Sequence, residues 1–180
     1  ISKRMKKLTS NRLKIGTLIL ISALVFVGWK GFLEVAYAKF LLTGTNSVLS
    51  VVKKDAHIET EKLDDGYQFK VFTLIEDKKA TYPQVFGSIL QPFIIVLSWQ
   101  LFLFLVLKRK LALQSAAINI GVFYFIQLFF LVQLTGYYTS ETQKFIFDML
   151  IDSFYIIALV LVIKDNMLYP VFSKEGPSST

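Results

Sequence analysis

The sequence contains no cysteine and only one histidine, and each shortage removes a class of function. Without cysteine there is no disulfide, no thiolate metal ligand and no cysteine nucleophile. The single histidine, His57, stands in a polar stretch without the further ligands that a zinc site needs. The glycine-rich loops that bind phosphates in nucleotide-dependent enzymes are also missing. We therefore predict no catalytic residue, no metal and no cofactor, and a protein that is not an enzyme.

Long apolar runs, in contrast, are abundant. Hydrophobic residues make up 54% of the 180 residues, and the mean hydropathy is +0.54. A helix that crosses the hydrocarbon layer needs about 20 predominantly apolar residues, and four blocks meet this requirement.

The predicted fold class is an all-α integral membrane protein with four transmembrane helices and a small extracytoplasmic β-hairpin loop between the first and second. The predicted parts are a basic cytoplasmic tail (1–14), the first transmembrane helix with an amphipathic extension (15–42), an extracytoplasmic loop with the hairpin (43–84), the second helix (85–107), a cytoplasmic loop (108–110), the third helix (111–135), an extracytoplasmic loop (136–144), the fourth helix (145–164) and a cytoplasmic tail (165–180).

The positive charge lies beside these blocks and predicts their orientation. The formal net charge is +7, with basic clusters at residues 3–14 and 108–110. Basic residues that flank spans remain in the cytoplasm and contact anionic lipids. This pattern favours lipid over nucleic acid as a partner. It predicts a plasma membrane protein, in the bacterial inner membrane, with both termini in the cytoplasm.

The basic stretch before Ile15–Val27 is also typical of a signal peptide. However, Ala36-Tyr37-Ala38 is only similar to the small-residue motif at which signal peptides are cleaved, so we expect a retained signal anchor.

The segment between the first two spans carries the turn signals. Residues 43–47 (TGTNS) predict a turn after the first helix, while residues 30–42 either extend that helix outward or lie on the membrane surface. Asp64-Asp65-Gly66 followed by alternating residues from Tyr67 predicts a β-hairpin. Two strands are only marginally stable alone, so we expect the hairpin to pack on the helices or on a partner.

Five charged residues form the candidate site. Asp148 and Asp152 are four residues apart on one face of the fourth helix, and Lys144 precedes them by one turn. Carboxylates in a span are costly and commonly mark a proton or cation path. The alternative is that they are hydrated near the extracytoplasmic end or pair with Lys144 or Lys30. Lys30 and Glu34, also four apart, are expected to face each other on the first helix.

Polar residues inside the spans are expected to hold the helices together. Pro92 interrupts the second span, and neighbouring helices must satisfy the carbonyl that it frees. Uncharged polar side chains commonly form hydrogen bonds between membrane helices. The residues expected to do so are Gln91, Ser98, Gln100, Asn119, Gln127 and Gln133.

The order of these features resembles a known group of proteins. A first span ending at Trp29 leads to an amphipathic segment with Tyr37 and Leu41-Leu42. A short β-like stretch follows, and the run from Tyr82 to Pro92 (YPQVFGSILQP) enters the second span. This layout over about residues 13–110 is similar to that of the small membrane proteins encoded alongside exosortases. Exosortases rely on Cys, Arg and His. Because this chain has no cysteine, the resemblance implies an accessory protein in envelope export and supplies no catalytic residue.

These observations predict a non-catalytic accessory or structural subunit of a larger membrane complex, and the resemblance implies a role in the export of envelope protein or polysaccharide. Its partner would be another integral membrane protein or a second copy of the chain. The alternative is a small transporter or ion-conducting subunit that uses Asp148 and Asp152, with Lys30 and Glu34 at the outer mouth. A membrane enzyme with an unfamiliar site is a third hypothesis, which any turnover of a substrate by purified protein would reveal.

Overall fold

The computed structural model describes residues 10–64 and 66–172. Within them, four helical stretches are long and apolar enough to cross a membrane, and a three-stranded antiparallel sheet lies between the first and the second. Most of the predicted basic tail, Asp65 of the predicted turn and the end of the predicted C-terminal tail lie outside the described residues. The elements are α1 (Asn11–Gly28), a π-helical turn (Trp29–Leu33), α2 (Glu34–Val52), β1 (His57–Leu63), β2 (Gly66–Ile75), β3 (Lys78–Val85), α3 (Gly87–Leu90), α4 (Phe93–Val106), α5 (Arg109–Leu134) and α6 (Glu141–Leu168).

The first helix is longer than the sequence indicated. It runs without a break from Asn11 to Val52, 42 residues, which corresponds to roughly 60 Å at the rise of an α-helix. The predicted turn at residues 43–47 is therefore wrong. The hydroxyls of Thr43, Thr45 and Ser47 each bond a carbonyl four residues earlier, which keeps these polar residues helical. Gly44 in the same stretch lets α5 approach closely, because a Cβ there would stand 2.0 Å from the Tyr124 hydroxyl.

The π-helical turn adjusts the register of this long helix. Residues eight apart in a regular helix differ by about 80° around the axis, and a wider turn reduces that difference. Trp29 is the first residue of the turn and Tyr37 lies eight residues further on. Both consequently face Phe93 on α4, with ring centroids 6.0 Å and 4.1 Å from the Phe93 ring. The aromatic packing continues from Phe93 through Phe123 to Phe154, so that the π-helical turn, α2, α4, α5 and α6 share one core.

The sheet caps one end of the helices, which we call the sheet end. β2 is the central strand and pairs with both neighbours in antiparallel register. Alternate residues of β2 point to opposite faces, and Phe69, Val71 and Thr73 are buried against the helices. The predicted hairpin is confirmed, but it is joined by a third strand. The β2–β3 turn contains Glu76 and Asp77, both with positive φ (50° and 61°), which is the backbone of a type I′ turn without the usual Asn or Gly.

Both outer edges of the sheet are covered or interrupted. On β1, the Asn46 side chain bonds both the carbonyl and the N–H of Ile58, at 2.8 and 2.9 Å, and so replaces a neighbouring strand. On β3, Pro83 pairs with Lys70 and has no N–H to offer. Proline is tolerated on an edge strand where the missing donor faces outward, and it discourages the addition of a further strand.

The opposite end of the bundle is the basic end, where Lys108, Arg109 and Lys110 join α4 to α5. The second and third helical stretches, Gly87–Val106 and Arg109–Leu134, closely match their predicted bounds. α6 is longer at both ends than the predicted 145–164. It begins at Ser140, whose hydroxyl caps the helix by accepting a hydrogen bond from the Gln143 N–H, and it continues to Leu168.

Candidate functional site

The two aspartates predicted from the sequence lie on the outer surface of α6. Asp148 and Asp152 are exposed, and neither side chain has a hydrogen bond or ion pair with the described residues. Lys144 does not reach them but lies over the Tyr137 ring, 5.8 Å from its centroid. Their helix face otherwise carries Phe145, Met149 and Ile156, all more than half exposed. The two carboxylates therefore point away from the bundle.

Lys30 and Glu34 form no ion pair with the two aspartates among the described residues. Both belong to the first helix, where Lys30 is exposed within the π-helical turn and Glu34 begins α2. Within residues 10–64 and 66–172 no ion pair joins Lys30 to Glu34. Among the described residues, no ion pair joins any two of the five predicted residues.

A polar site that the sequence analysis did not identify lies inside the bundle near its basic end. Its centre is Asp165 on α6, whose side chain is only 1% exposed. One carboxylate oxygen, Oδ2, accepts hydrogen bonds from four side chains on α4 and α5. The donors are Trp99 Nε1 (3.1 Å), Gln100 Nε2 (3.0 Å), Ser115 Oγ (2.7 Å) and Asn119 Nδ2 (2.6 Å).

The charge of this carboxylate has a partner as well. Lys164 Nζ lies 3.2 Å from Asp165 Oδ1 and also donates to the Asn119 side-chain carbonyl. Ser115 is within hydrogen-bond distance of Gln100 Oε1, at 3.1 Å, which links α4 and α5 again. A buried charge persists only when it is paired and hydrogen-bonded, and Asp165 meets both conditions. This arrangement, which we call the Asp165 network, is a cross-link between three helices.

Sequence reasoning assigned residue 165 to the cytoplasmic tail and so missed the centre of this network. The donors Gln100 and Asn119 were correctly expected to bond between helices. A signal for Asp165 was present in the helical periodicity, since it follows the buried Phe154, Ala158 and Leu161 by eleven, seven and four residues. A carboxylate on the apolar stripe of a helix needs a partner, and this spacing would have predicted that Asp165 lies inside the helix bundle.

A second polar arrangement compensates the break at Pro92. Between α3 and α4 the regular hydrogen bonding is interrupted, and the Ile89 carbonyl accepts a hydrogen bond from Gln127 Nε2 on α5. The carbonyl oxygen of the same Gln127 side chain accepts one from the Tyr37 hydroxyl on α2. Gln127 on α5 thus satisfies one backbone carbonyl at the helix break beside Pro92.

At the sheet end, three side chains bond the last carbonyls of α5. Lys53 Nζ and Thr73 Oγ1 donate to Thr135 O, at 2.9 and 3.0 Å, and the Tyr82 hydroxyl donates to Leu134 O. The carbonyls at a helix C-terminus have no partner within the helix, so these contacts fix the sheet to α5. Burial, followed by the nearby Tyr138, raises the pKa of the Tyr82 phenol, and burial lowers the pKa of the Lys53 ammonium.

A shallow cleft lies on the sheet, with a volume of about 490 Å³. Its floor includes His57 stacked on Phe72, with ring centroids 4.4 Å apart, and Lys54 and Lys79 stand at its rim. In the part of the chain that the structure describes, no group of three or more His, Cys, Asp or Glu side chains has the arrangement of a metal site. His57 has Glu59 as its acidic neighbour, at 3.6 Å, on the exposed surface.

Comparison with known proteins adds no family to these observations: no family model matches the chain, and no curated protein or solved structure is similar to it. The resemblance in layout to exosortase-associated membrane proteins therefore stays a prediction.

Proposed function

We propose that the chain is a multi-pass membrane protein that acts as a non-catalytic accessory subunit of a larger membrane complex. In this arrangement the sheet end lies outside the cytoplasmic membrane and the basic end faces the cytoplasm. The bacterial inner membrane and a role in exporting envelope protein or polysaccharide follow from the charge pattern and from the resemblance in layout to exosortase-associated proteins.

One observation carries the proposal: two carboxylates lie unpaired on the outer, apolar surface of α6. An acidic side chain on a face that contacts lipid is costly, and membrane proteins pair such groups with a partner of opposite charge. Most buried polar side chains, in contrast, already bond one another or a backbone carbonyl, as in the Asp165 network. Most polar side chains of the interior thus hold the helices together, whereas the two unpaired carboxylates face outward, where a second protein would bind.

The proposal is tested by purifying the protein from its native membrane in a mild detergent and measuring the mass of the intact complex. We expect a fixed stoichiometry with another integral membrane protein. The double variant Asp148→Asn, Asp152→Asn should lower recovery of that partner. Glu34→Gln, a change of the same type away from this surface, should leave recovery unchanged. A chain recovered only as a monomer, with no neighbour captured by gentle crosslinking, would contradict the proposal.

The transporter alternative makes a different prediction for the same residues. It requires Asp148 and Asp152 to line a path, whereas both side chains are exposed on the outside of α6. If the purified chain alone carried cations or protons across a proteoliposome membrane, and the double asparagine variant abolished that flux without unfolding the protein, the accessory role would be replaced by transport.

A further inference from the structure

The cleft on the sheet, which we call the sheet cleft, opens away from the membrane-spanning helices. Phe72 and Leu74 of β2 line it, and they alternate with Val71 and Thr73, whose side chains are buried against the helices. Because successive side chains of a strand point to opposite faces, Phe72 and Leu74 belong to the outer face of the sheet. A ligand therefore reaches the sheet cleft from the aqueous space beyond the sheet end and not from the lipid.

The strand register brings polar side chains onto the same outer face. His57 on β1 and Thr81 on β3 both stand opposite Phe72, and Lys79 on β3 stands opposite Leu74. Side chains of directly paired residues lie on one face of a sheet and close to each other. His57, Thr81 and Lys79 are all exposed and all line the sheet cleft, so a ligand in it can contact each of them.

The charged side chains of the sheet cleft are free to bind a ligand. Lys54, Asp55 and Lys79 are exposed, and none has an ion pair or hydrogen bond with another residue that the structure describes. Lys70, on the same outer face, is instead paired with Glu61 at 2.7 Å. A single unpaired lysine is ordinary on a surface. Two that line one cleft, against a single carboxylate, give it an excess of positive charge, which attracts anions.

The size and lining of the sheet cleft call for more than a simple anion. Its volume of about 490 Å³ lies in the range of small-molecule sites, roughly 300–1,000 Å³. An inorganic anion would leave the surface of Phe72 and Leu74 uncovered, and the Asp55 carboxylate would repel it. An ionised carboxylate accepts hydrogen bonds, so Asp55 suits a ligand that carries hydroxyl groups. The ligand therefore combines a negative charge, hydroxyl donors and an apolar surface.

An acidic peptide fits this sheet less well. Extended peptides bind sheets by adding a strand to a free edge, which supplies backbone hydrogen bonds. Here the Asn46 side chain occupies the β1 edge at Ile58, and Pro83 interrupts the β3 edge. The sheet cleft spans all three strands, whose backbone groups bond one another, so recognition falls to side chains. Saccharides are bound in this way, because they offer hydroxyl groups and the apolar C–H faces of their rings.

We infer that the sheet cleft binds an acidic saccharide, which is a sugar chain that carries carboxylate or phosphate groups. Lys54 and Lys79 pair with the acidic group, while Asp55 and Thr81 bond sugar hydroxyls. The C–H face of a sugar ring packs on the apolar side chains of β2. This inference rests on the proposed export role, for which it names the class of substrate, but the binding itself needs no partner protein.

The test uses the full-length protein, purified in a detergent without a sugar headgroup and titrated by calorimetry. The probes are trigalacturonate, a hyaluronan tetrasaccharide and mannose 6-phosphate. We expect at least one of them to bind at one site per chain, with an affinity that falls as the salt concentration rises. Lys54→Gln and Lys79→Gln should each weaken that binding by about twofold to fivefold, as for exposed ion pairs. Lys78→Gln, which removes an exposed lysine outside the sheet cleft, should leave it unchanged.

Asp55→Asn distinguishes a saccharide site from a site for anions in general. The change removes a carboxylate that accepts hydrogen bonds from sugar hydroxyls, so we expect binding of the saccharide to weaken by about threefold to tenfold. A site that recognises negative charge alone would instead bind more tightly, because a like charge is lost. Inorganic phosphate and hexaglutamate are the control ligands, and neither should displace the saccharide at equal concentration.

Four outcomes would overturn the inference: binding of none of the three probes, equal losses for Lys78→Gln and Lys79→Gln, tighter binding by Asp55→Asn, or displacement by phosphate or hexaglutamate at equal concentration. The substitutions change exposed side chains, so they leave the core intact, which size-exclusion chromatography checks. Saccharide binding by a chain that has no protein partner would keep the inference and contradict the accessory role. A stable complex without saccharide binding would do the reverse.

Discussion

The two ends of the bundle anchor α5 by opposite means. At the sheet end, acceptors on the α5 backbone receive hydrogen bonds from three separate segments, through Lys53, Thr73 and Tyr82. At the basic end, one carboxylate oxygen of Asp165 receives four donors from α4 and α5. The first arrangement loses one contact when one side chain is removed. The second depends on a single residue, whose loss removes the acceptor that all four donors share.

The largest effect should follow replacement of Asp165. Asp165→Ala removes the acceptor shared by four buried donors and the carboxylate paired with Lys164, although Ser115 keeps the Gln100 carbonyl and Lys164 keeps the Asn119 carbonyl. We expect a loss of about 3–5 kcal/mol in the free energy of unfolding. Asp165→Asn keeps the shape and one acceptor oxygen and should cost less. Denaturant titration in detergent micelles measures both. Equal stability of Asp165→Ala and the unchanged protein would contradict the view that the Asp165 network is a cross-link.

A smaller effect is expected for Gln127→Leu, between the two ends. The change leaves the Ile89 carbonyl and the Tyr37 hydroxyl unpaired, at a cost of about 1–3 kcal/mol in unfolding free energy. Because the carbonyl lies at the helix break beside Pro92, the cost should shrink when Pro92→Ala restores regular helix. A double-mutant cycle measures this coupling. Purely additive changes would mean that Gln127 does not compensate the proline.

At the sheet end the individual changes should be smaller still. Tyr82→Phe and Thr73→Val each remove one donor, and we expect a loss of about 0.5–1.5 kcal/mol in unfolding free energy for each. After Thr73→Val the Thr135 carbonyl still accepts from Lys53, so this variant should be the milder one. The two changes should add, in contrast to changes within the Asp165 network. If either change lowered the unfolding free energy as much as Asp165→Ala, the two ends would not differ in how strongly they depend on a single residue.

The smallest effect concerns the exposed surface of β1. Hydrogen bonds from Lys70 and Gln68 to the Glu61 carboxylate lower its pKa. A carboxylate whose pKa is lower in the folded state contributes stability above its unfolded pKa and loses that contribution as the pH falls through the folded value. A carbon-13 NMR titration should place the Glu61 midpoint below that of an ordinary glutamate, and Lys70→Met should raise it. Because the group is exposed, we expect little change in overall stability for Glu61→Gln.

The sequence predicted the helices well and the polar contacts unevenly. Hydropathy alone located the four spans, because each needs a long apolar block whatever its neighbours are. The hairpin at Asp64 to Gly66 was visible from its turn, whereas β3 was missed because its turn uses Glu76 and Asp77 and its strand contains Pro83. These residues disfavour such structure locally, and only the tertiary packing reveals why they are tolerated.

The candidate site was harder to predict for a physical reason. Asp148 and Asp152 were noticed because carboxylates in an apolar block are conspicuous, yet the sequence does not show which face of α6 meets the bundle. Asp165 was overlooked because it stands near the end of the apolar block, where an acid is unremarkable. Its role depends on donors contributed by α4 and α5, whose spatial proximity no local pattern encodes.

The arrangement across the membrane is the claim on which the proposals rest, and labelling of single cysteines tests it directly. Lys79→Cys on β3 and Lys110→Cys at the basic end are exposed, one at each end of the bundle. A membrane-impermeant maleimide applied to intact cells should label Lys79→Cys fully and Lys110→Cys only after the membrane is opened. Labelling of Lys110→Cys in intact cells, with Lys79→Cys protected, would contradict the proposed orientation. Labelling of both would contradict the four-span arrangement itself.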